Sequence, residues 1–82
     1  MPYKERDVEF DYFIKIEENS ISKVSTRQLS KIGRWLKVGD YTFRGWSVRS
    51  REEIEEYIET VLGVPEEDVQ VYSANSGLHM IR

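Results

Sequence analysis

Along the first part of the chain, Val8, Phe10, Tyr12, Ile14 and Ile16 alternate with Glu9, Asp11, Phe13, Lys15 and Glu17. A period of two sends successive side chains to opposite faces, so this stretch predicts a long β-strand with one buried face. Phe13 interrupts the polar side and is expected to point away from the main core. Asn19 and Ser20 end the strand. Ile21, Val24, Leu29 and Ile32 then fit a helical stripe imperfectly, and Gly33 suits the left-handed position that follows a last turn. The spacing predicts a helix of about three turns ending at Gly33, or alternatively a helix that runs on to Val38.

Residues 34 to 43 read RWLKVGDYTF, and Gly39-Asp40 predicts a type II′ hairpin turn. Such a turn pairs Val38 with Tyr41 and Leu36 with Phe43, four apolar side chains on one face. Tyr41 and Phe43 are odd-numbered whereas Trp46 and Val48 are even, so Gly45 is expected to mark a β-bulge that resets the phase.

The clearest helical pattern follows. Ile54, Tyr57, Ile58, Val61 and Leu62 recur at i, i+3, i+4, i+7 and i+8 and form one apolar stripe. Ser50 and Glu53 have the spacing of a capping box, Gly63 fits the left-handed position past the end, and Pro65 blocks continuation. Val69 to Ser73 and Leu78 to Ile81 then predict two strands joined by Ala74, Asn75, Ser76 and Gly77, residues with turn chemistry. The elements add up to an α+β fold, an antiparallel sheet with two helices on one face in the ferredoxin-like order β-α-β-β-α-β plus a C-terminal strand. If residues 26 to 38 form one helix, the order becomes β-α-β-α-β-β.

Composition narrows the picture. At 82 residues the chain is expected to form a single domain over 1–82, with stability from packing, since there is no cysteine. No run of 18 apolar residues appears, so a soluble cytoplasmic protein without membrane association is expected. The net charge of −3 conceals a partition: residues 1–22 carry −3, residues 23–51 carry +7 and residues 52–82 carry −7.

Little of this supports catalysis. His79 is the single histidine, no GxSxG is present, and no Gly-rich phosphate motif occurs. The Glu66-Glu67-Asp68 cluster lacks the spacing of a calcium loop, so neither metal nor cofactor is expected. The acidic run carries the first functional expectation, a non-enzymatic binding protein. Glu52, Glu53, Glu55, Glu56, Glu59, Glu66, Glu67 and Asp68 stand in residues 52–68 without one Lys or Arg. Glu52 with Glu56 and Glu55 with Glu59 are like-charge i, i+4 pairs, each unfavourable by a few tenths of a kcal/mol. Carboxylates spaced regularly on a rigid helix imitate a phosphate backbone. The expected partner is therefore a basic protein, such as a DNA- or RNA-binding protein inhibited by nucleic-acid mimicry.

The basic middle carries the alternative. Arg27, Lys31, Arg34, Lys37, Arg44, Arg49 and Arg51 are interleaved with Trp35, Tyr41, Phe43 and Trp46, a mixture that pairs phosphates and stacks bases. Arg44-Gly45-Trp46-Ser47 followed by Val48 resembles the start of the third-strand signature of the RNA-recognition-motif family, Lys/Arg-Gly-aromatic-small leading into an aromatic and a valine. The chain lacks that family's second platform aromatic, and its first strand offers only Phe13. The basic and aromatic mixture, together with this resemblance, raises the alternative expectation of a module for single-stranded nucleic acid using Phe13, Arg34, Trp35, Arg44 and Trp46. Leu78, Met80 and Ile81, in an apolar terminal strand, raise the expectation of a homodimer paired through that strand.

Overall fold

The computed structural model describes residues 9–74. Strand β1 (Phe10–Ile16) leads through a 3₁₀ turn (Glu18–Lys23) into the short helix α1 (Thr26–Leu29), and a hairpin of β2 (Arg34–Lys37) and β3 (Thr42–Ser47) follows. Helix α2 (Arg51–Thr60) and a second 3₁₀ turn (Glu66–Asp68) then return the chain to β4 (Val69–Ser73). The four strands form one antiparallel sheet in the order β2-β3-β1-β4. Residues 34–37 are thus a strand, which removes the alternative of one helix over 26–38.

Alternation along β1 sends Tyr12, Ile14 and Ile16 inward, where they meet Trp35, Phe43, Val69 and Val71 from the other strands. Leu29 and Ile32 from the α1 region, with Ile54 and Ile58 from α2, cover this face and complete the core. Fully burying an aliphatic side chain contributes about 1.5–3 kcal/mol, so Ile54 and Ile58, both at 0% exposure, anchor α2 to the sheet. The start of α2 follows its sequence signature: the Ser50 side chain accepts from the Glu53 N–H while the Glu53 carboxylate accepts from the Ser50 N–H. Gly63 adopts φ of +76°, the left-handed conformation expected after the helix. Val61, however, is 62% exposed and does not belong to the buried stripe, because α2 ends before it. Two hydrogen bonds tie the helical layer together, from the Tyr57 hydroxyl to the Gln28 carbonyl (3.0 Å) and from Lys23 Nζ to the Gly63 carbonyl (3.2 Å).

Three local expectations are corrected. The helix expected to end at Gly33 is a single turn over Thr26–Leu29, opened by a capping box between Ser25 and Gln28. Gly33 has no positive φ; a Cβ there would lie 2.5 Å from the Trp46 carbonyl oxygen, so close approach accounts for the glycine. The β2–β3 hairpin pairs Lys37 with Phe43 and Leu36 with Arg44, with the Val38 N–H donating to the Thr42 carbonyl. That connection is one residue longer than a type II′ turn at Gly39-Asp40, and Gly39 lacks the positive φ such a turn needs. Leu36, Val38 and Tyr41 are consequently exposed, and Phe43 alone of the four expected residues is buried.

The third correction matters most for function. The register of β3 runs unbroken from Thr42 to Ser47 against β1, so Gly45 marks no bulge. Phe43, Gly45 and Ser47 face inward and Arg44 and Trp46 face outward, whereas a phase reset would have buried Trp46 and Val48. Gly45 is there because a side chain would strike the Trp35 ring, 2.4 Å from its nearest atom. Phe10 is 47% exposed, outside the core its alternation implied. Val8 and the expected terminal strand over 78–81, with the homodimer built on it, lie outside the described residues.

Candidate functional site

Two surfaces of opposite character flank the sheet. The inner face is covered by the helices, and the side chains that alternate outward form a second face that no other element covers among the described residues. Phe13 comes from β1, Arg44 and Trp46 from β3, Arg34 and Leu36 from β2, and Gln70 and Tyr72 from β4. Register sets their arrangement. Phe13 stands opposite Arg44 on one side and Tyr72 on the other, and Trp46 stands opposite Asp11 and Arg34. Trp46, Phe13 and Tyr72 therefore step diagonally and then directly across three adjacent strands, at spacings of about 7–8 Å and then 4.5–5.5 Å.

The arginines stack on these rings. The Arg44 guanidinium lies 5.4 Å from the Phe13 ring centroid and 5.5 Å from that of Trp46, and the Arg34 guanidinium lies 5.6 Å from Trp46. Each contact is worth about 0.5–1 kcal/mol where solvent reaches it. Acidic residues of the first strand region hold the same arginines: Arg34 pairs with Glu9 at 2.6 Å and Arg44 with Asp11 at 3.4 Å. The Arg34 side chain is 71% exposed, so its pair adds little stability, within the ~0.2–1 kcal/mol of exposed ion pairs. The Nε of Arg44 is buried and has no hydrogen-bond partner among the described residues.

Four of the five residues expected for nucleic-acid binding, Phe13, Arg34, Arg44 and Trp46, thus share one face. Trp35 does not: it is 7% exposed, on the inner face against Gly45, and this corrects its assignment to the interface. Tyr72 was overlooked. Its signal was present in the alternation of Val69 and Val71, both buried, with Gln70 and Tyr72.

The acidic residues gather on the opposite side, along the outer surface of α2 and in the 66–68 turn. Glu53 is engaged in the helix cap, Asp68 accepts from the Ser20 hydroxyl at 2.8 Å, and Glu52 lies 3.7 Å from its neighbour Arg51. Glu55, Glu56, Glu59, Glu66 and Glu67 form no ion pair with any cation among the described residues. Partial desolvation and then the carboxylates of Glu66, Glu55 and Glu56 raise the pKa of Glu59 above its ordinary value. On the core side of α2, burial and then the charges of Glu52 and Glu53 raise the pKa of Tyr12, whose hydroxyl donates to the Arg49 carbonyl at 2.7 Å.

A shallow hollow of about 260 Å³ lies beside α2, lined by Arg49, Glu53, Glu56, Tyr57, Thr60 and Val61. It is open to solvent, and its Glu53 is committed to the cap. Among the described residues no group of three or more His, Cys, Asp or Glu is placed to hold a metal ion, and no helix is long and apolar enough to cross a membrane. No family model, no curated protein and no solved structure matches the chain.

Proposed function

We propose that this is a non-catalytic binding protein whose open sheet face takes single-stranded nucleic acid. One observation carries the reading: Trp46, Phe13 and Tyr72 lie on the same outward face, which no other element covers among the described residues, interspersed with Arg34 and Arg44. Flat rings accept unstacked bases at about 1–3 kcal/mol each, and guanidinium groups pair with phosphates. Lys15, exposed on the same strand as Phe13, adds a third cation. The covered inner face and the strand order, with β3 between β1 and β2, support reading the fold as the ferredoxin-like split β-α-β arrangement.

The test is a low-salt titration of labelled single-stranded and duplex oligonucleotides, followed by anisotropy. Saturable binding to single strands that Trp46→Ala abolishes supports the reading. Equal binding by wild type and a folded Trp46→Ala protein refutes it.

A second reading concerns the far side. Glu55, Glu56 and Glu59, which meet no cation among the described residues, and the raised pKa of Glu59 favour a negative surface left for an outside molecule to neutralise. A basic protein, such as the nucleic-acid site of a DNA- or RNA-binding protein, fits that field. Recovery of such a protein in a pull-down, lost when Glu56→Lys and Glu59→Lys are combined, supports it; recovery unchanged by the charge reversal rules it out.

A further inference from the structure

Four residues of the open face form a closed square. Asp11 and Phe13 are two apart on β1, Arg44 and Trp46 are two apart on β3, and the register sets Phe13 opposite Arg44 and Asp11 opposite Trp46. Within the square the Arg44 guanidinium lies over both rings, 5.4 Å from the Phe13 centroid and 5.5 Å from that of Trp46. A planar cation lying over two aromatic rings covers the ring surface on which a planar base would stack, and that covered surface is the slot at issue.

Resting on the nucleic-acid reading above, we propose that Arg44 is an internal placeholder for a nucleobase, latched by Asp11, and that a ligand base enters by displacing it. Two features make the resting position a weak one. The contact between Arg44 and Asp11 spans 3.4 Å, longer than the ~2.7–2.9 Å of a strong charge-assisted bond. Arg44 Nε also has no acceptor among the described residues, so the pose leaves a buried donor unpaired there. Once swung out of the slot, the guanidinium fork is free to pair with a phosphate in a two-bond geometry. Arg34 differs: it lies over a single ring, is 71% exposed and holds Glu9 at 2.6 Å, so it closes no slot. Asp11 is thereby a positioning residue whose carboxylate keeps the site shut against weak ligands.

The experiment compares a ten-residue oligothymidylate with a peptide nucleic acid of the same bases, whose backbone is neutral. Arg44→Ala removes placeholder and cation together. With the neutral ligand only the slot matters, and binding should tighten about fivefold; with the phosphodiester the lost cation offsets the gain. Asp11→Asn should tighten both ligands about threefold, with Glu9→Gln, the same charge change on the same face, shifting them less.

Circular dichroism confirms folding, and Arg44→Gln repeats the test with a side chain that stays long. If Arg44→Ala and Arg44→Gln leave the neutral ligand unchanged or weaker, Arg44 is an ordinary contact and the placeholder falls while the platform stands. Equal shifts from Asp11→Asn and Glu9→Gln reduce the latch to overall charge. Should wild-type binding of the oligothymidylate be indifferent to Trp46→Ala, platform and placeholder fall together.

Discussion

Gly45→Ala is the sharpest structural test, because the orientation of Trp46 depends on the phase of β3. A Cβ at Gly45 would stand 2.1 Å from the Arg34 carbonyl oxygen and 2.4 and 2.6 Å from atoms of the Trp35 ring. The first obstacle is backbone of the paired strand. The second is a large, nearly buried ring that packs on the glycine, so neither yields cheaply. Overpacking usually costs about 1–3 kcal/mol, and a backbone collision this close belongs at or above the top of that range. A chain of this size has a total stability of about 4–12 kcal/mol. A loss near 3 kcal/mol therefore lowers the melting temperature by about 12–24 °C or prevents folding. Gly39→Ala is the internal control, since its Cβ would meet nothing nearer than Thr42 at 3.8 Å. Freed of strain, that change restricts the unfolded chain and should be neutral or stabilising by about 0.4–1 kcal/mol. Thermal melts by circular dichroism read both variants. A Gly45→Ala protein that melts within about 2 °C of wild type, a shift well below 1 kcal/mol, would mean that β3 bulges here and that Trp46 does not face outward.

Other expectations follow from the same geometry. Ser50→Ala removes the oxygen that accepts from the Glu53 N–H and should cost about 0.5–2 kcal/mol in denaturant melts. Because the pKa of Glu59 is raised in the folded state, the folded chain binds its proton more tightly than the unfolded chain. Its ionisation then costs stability as pH rises through the interval between the unfolded and folded values. Glu59→Gln should accordingly melt above wild type at pH 7, with the difference vanishing below about pH 4; a variant that melts lower at pH 7 would contradict the cause assigned. If Arg34, Arg44 and Lys15 meet phosphates, the logarithm of the affinity for a single strand should fall against the logarithm of salt with slope about −2. A slope near zero would leave the arginines without that role.

Local signals were legible wherever they did not depend on strand phase. The capping box at Ser50 and Glu53, the left-handed Gly63, the buried alternation of Tyr12, Ile14 and Ile16, and the strand at Val69 to Ser73 can be read from residue type and spacing alone. The hairpin was harder. Gly39-Asp40 matches a two-residue turn, yet the ladder closes at Val38 and Thr42, and a shift of one residue moved Leu36 from the face of Phe43 to the face of Arg44. Gly45 was misread for a related reason. A glycine in a strand signals either a bulge or a close approach, and only the position of Trp35 above it decides which. That single choice separated a Trp46 buried in the core from a half-buried one on the outward face. The charge partition at residues 23–51 and 52–68 was plain in sequence, but its spatial meaning was not. Arg34 and Arg44 turn to Glu9 and Asp11 across the open face, leaving most of the α2 carboxylates unmatched among the described residues.

The central claim is that ligand meets the open sheet face, and chemical-shift mapping on isotope-labelled protein with a single-stranded oligonucleotide tests it residue by residue. The expected result is a set of perturbations confined to Phe13, Arg44, the Trp46 indole and Tyr72, with Glu55 to Thr60 of α2 unmoved. Perturbations concentrated on α2, or none across the sheet at saturating ligand, would contradict it.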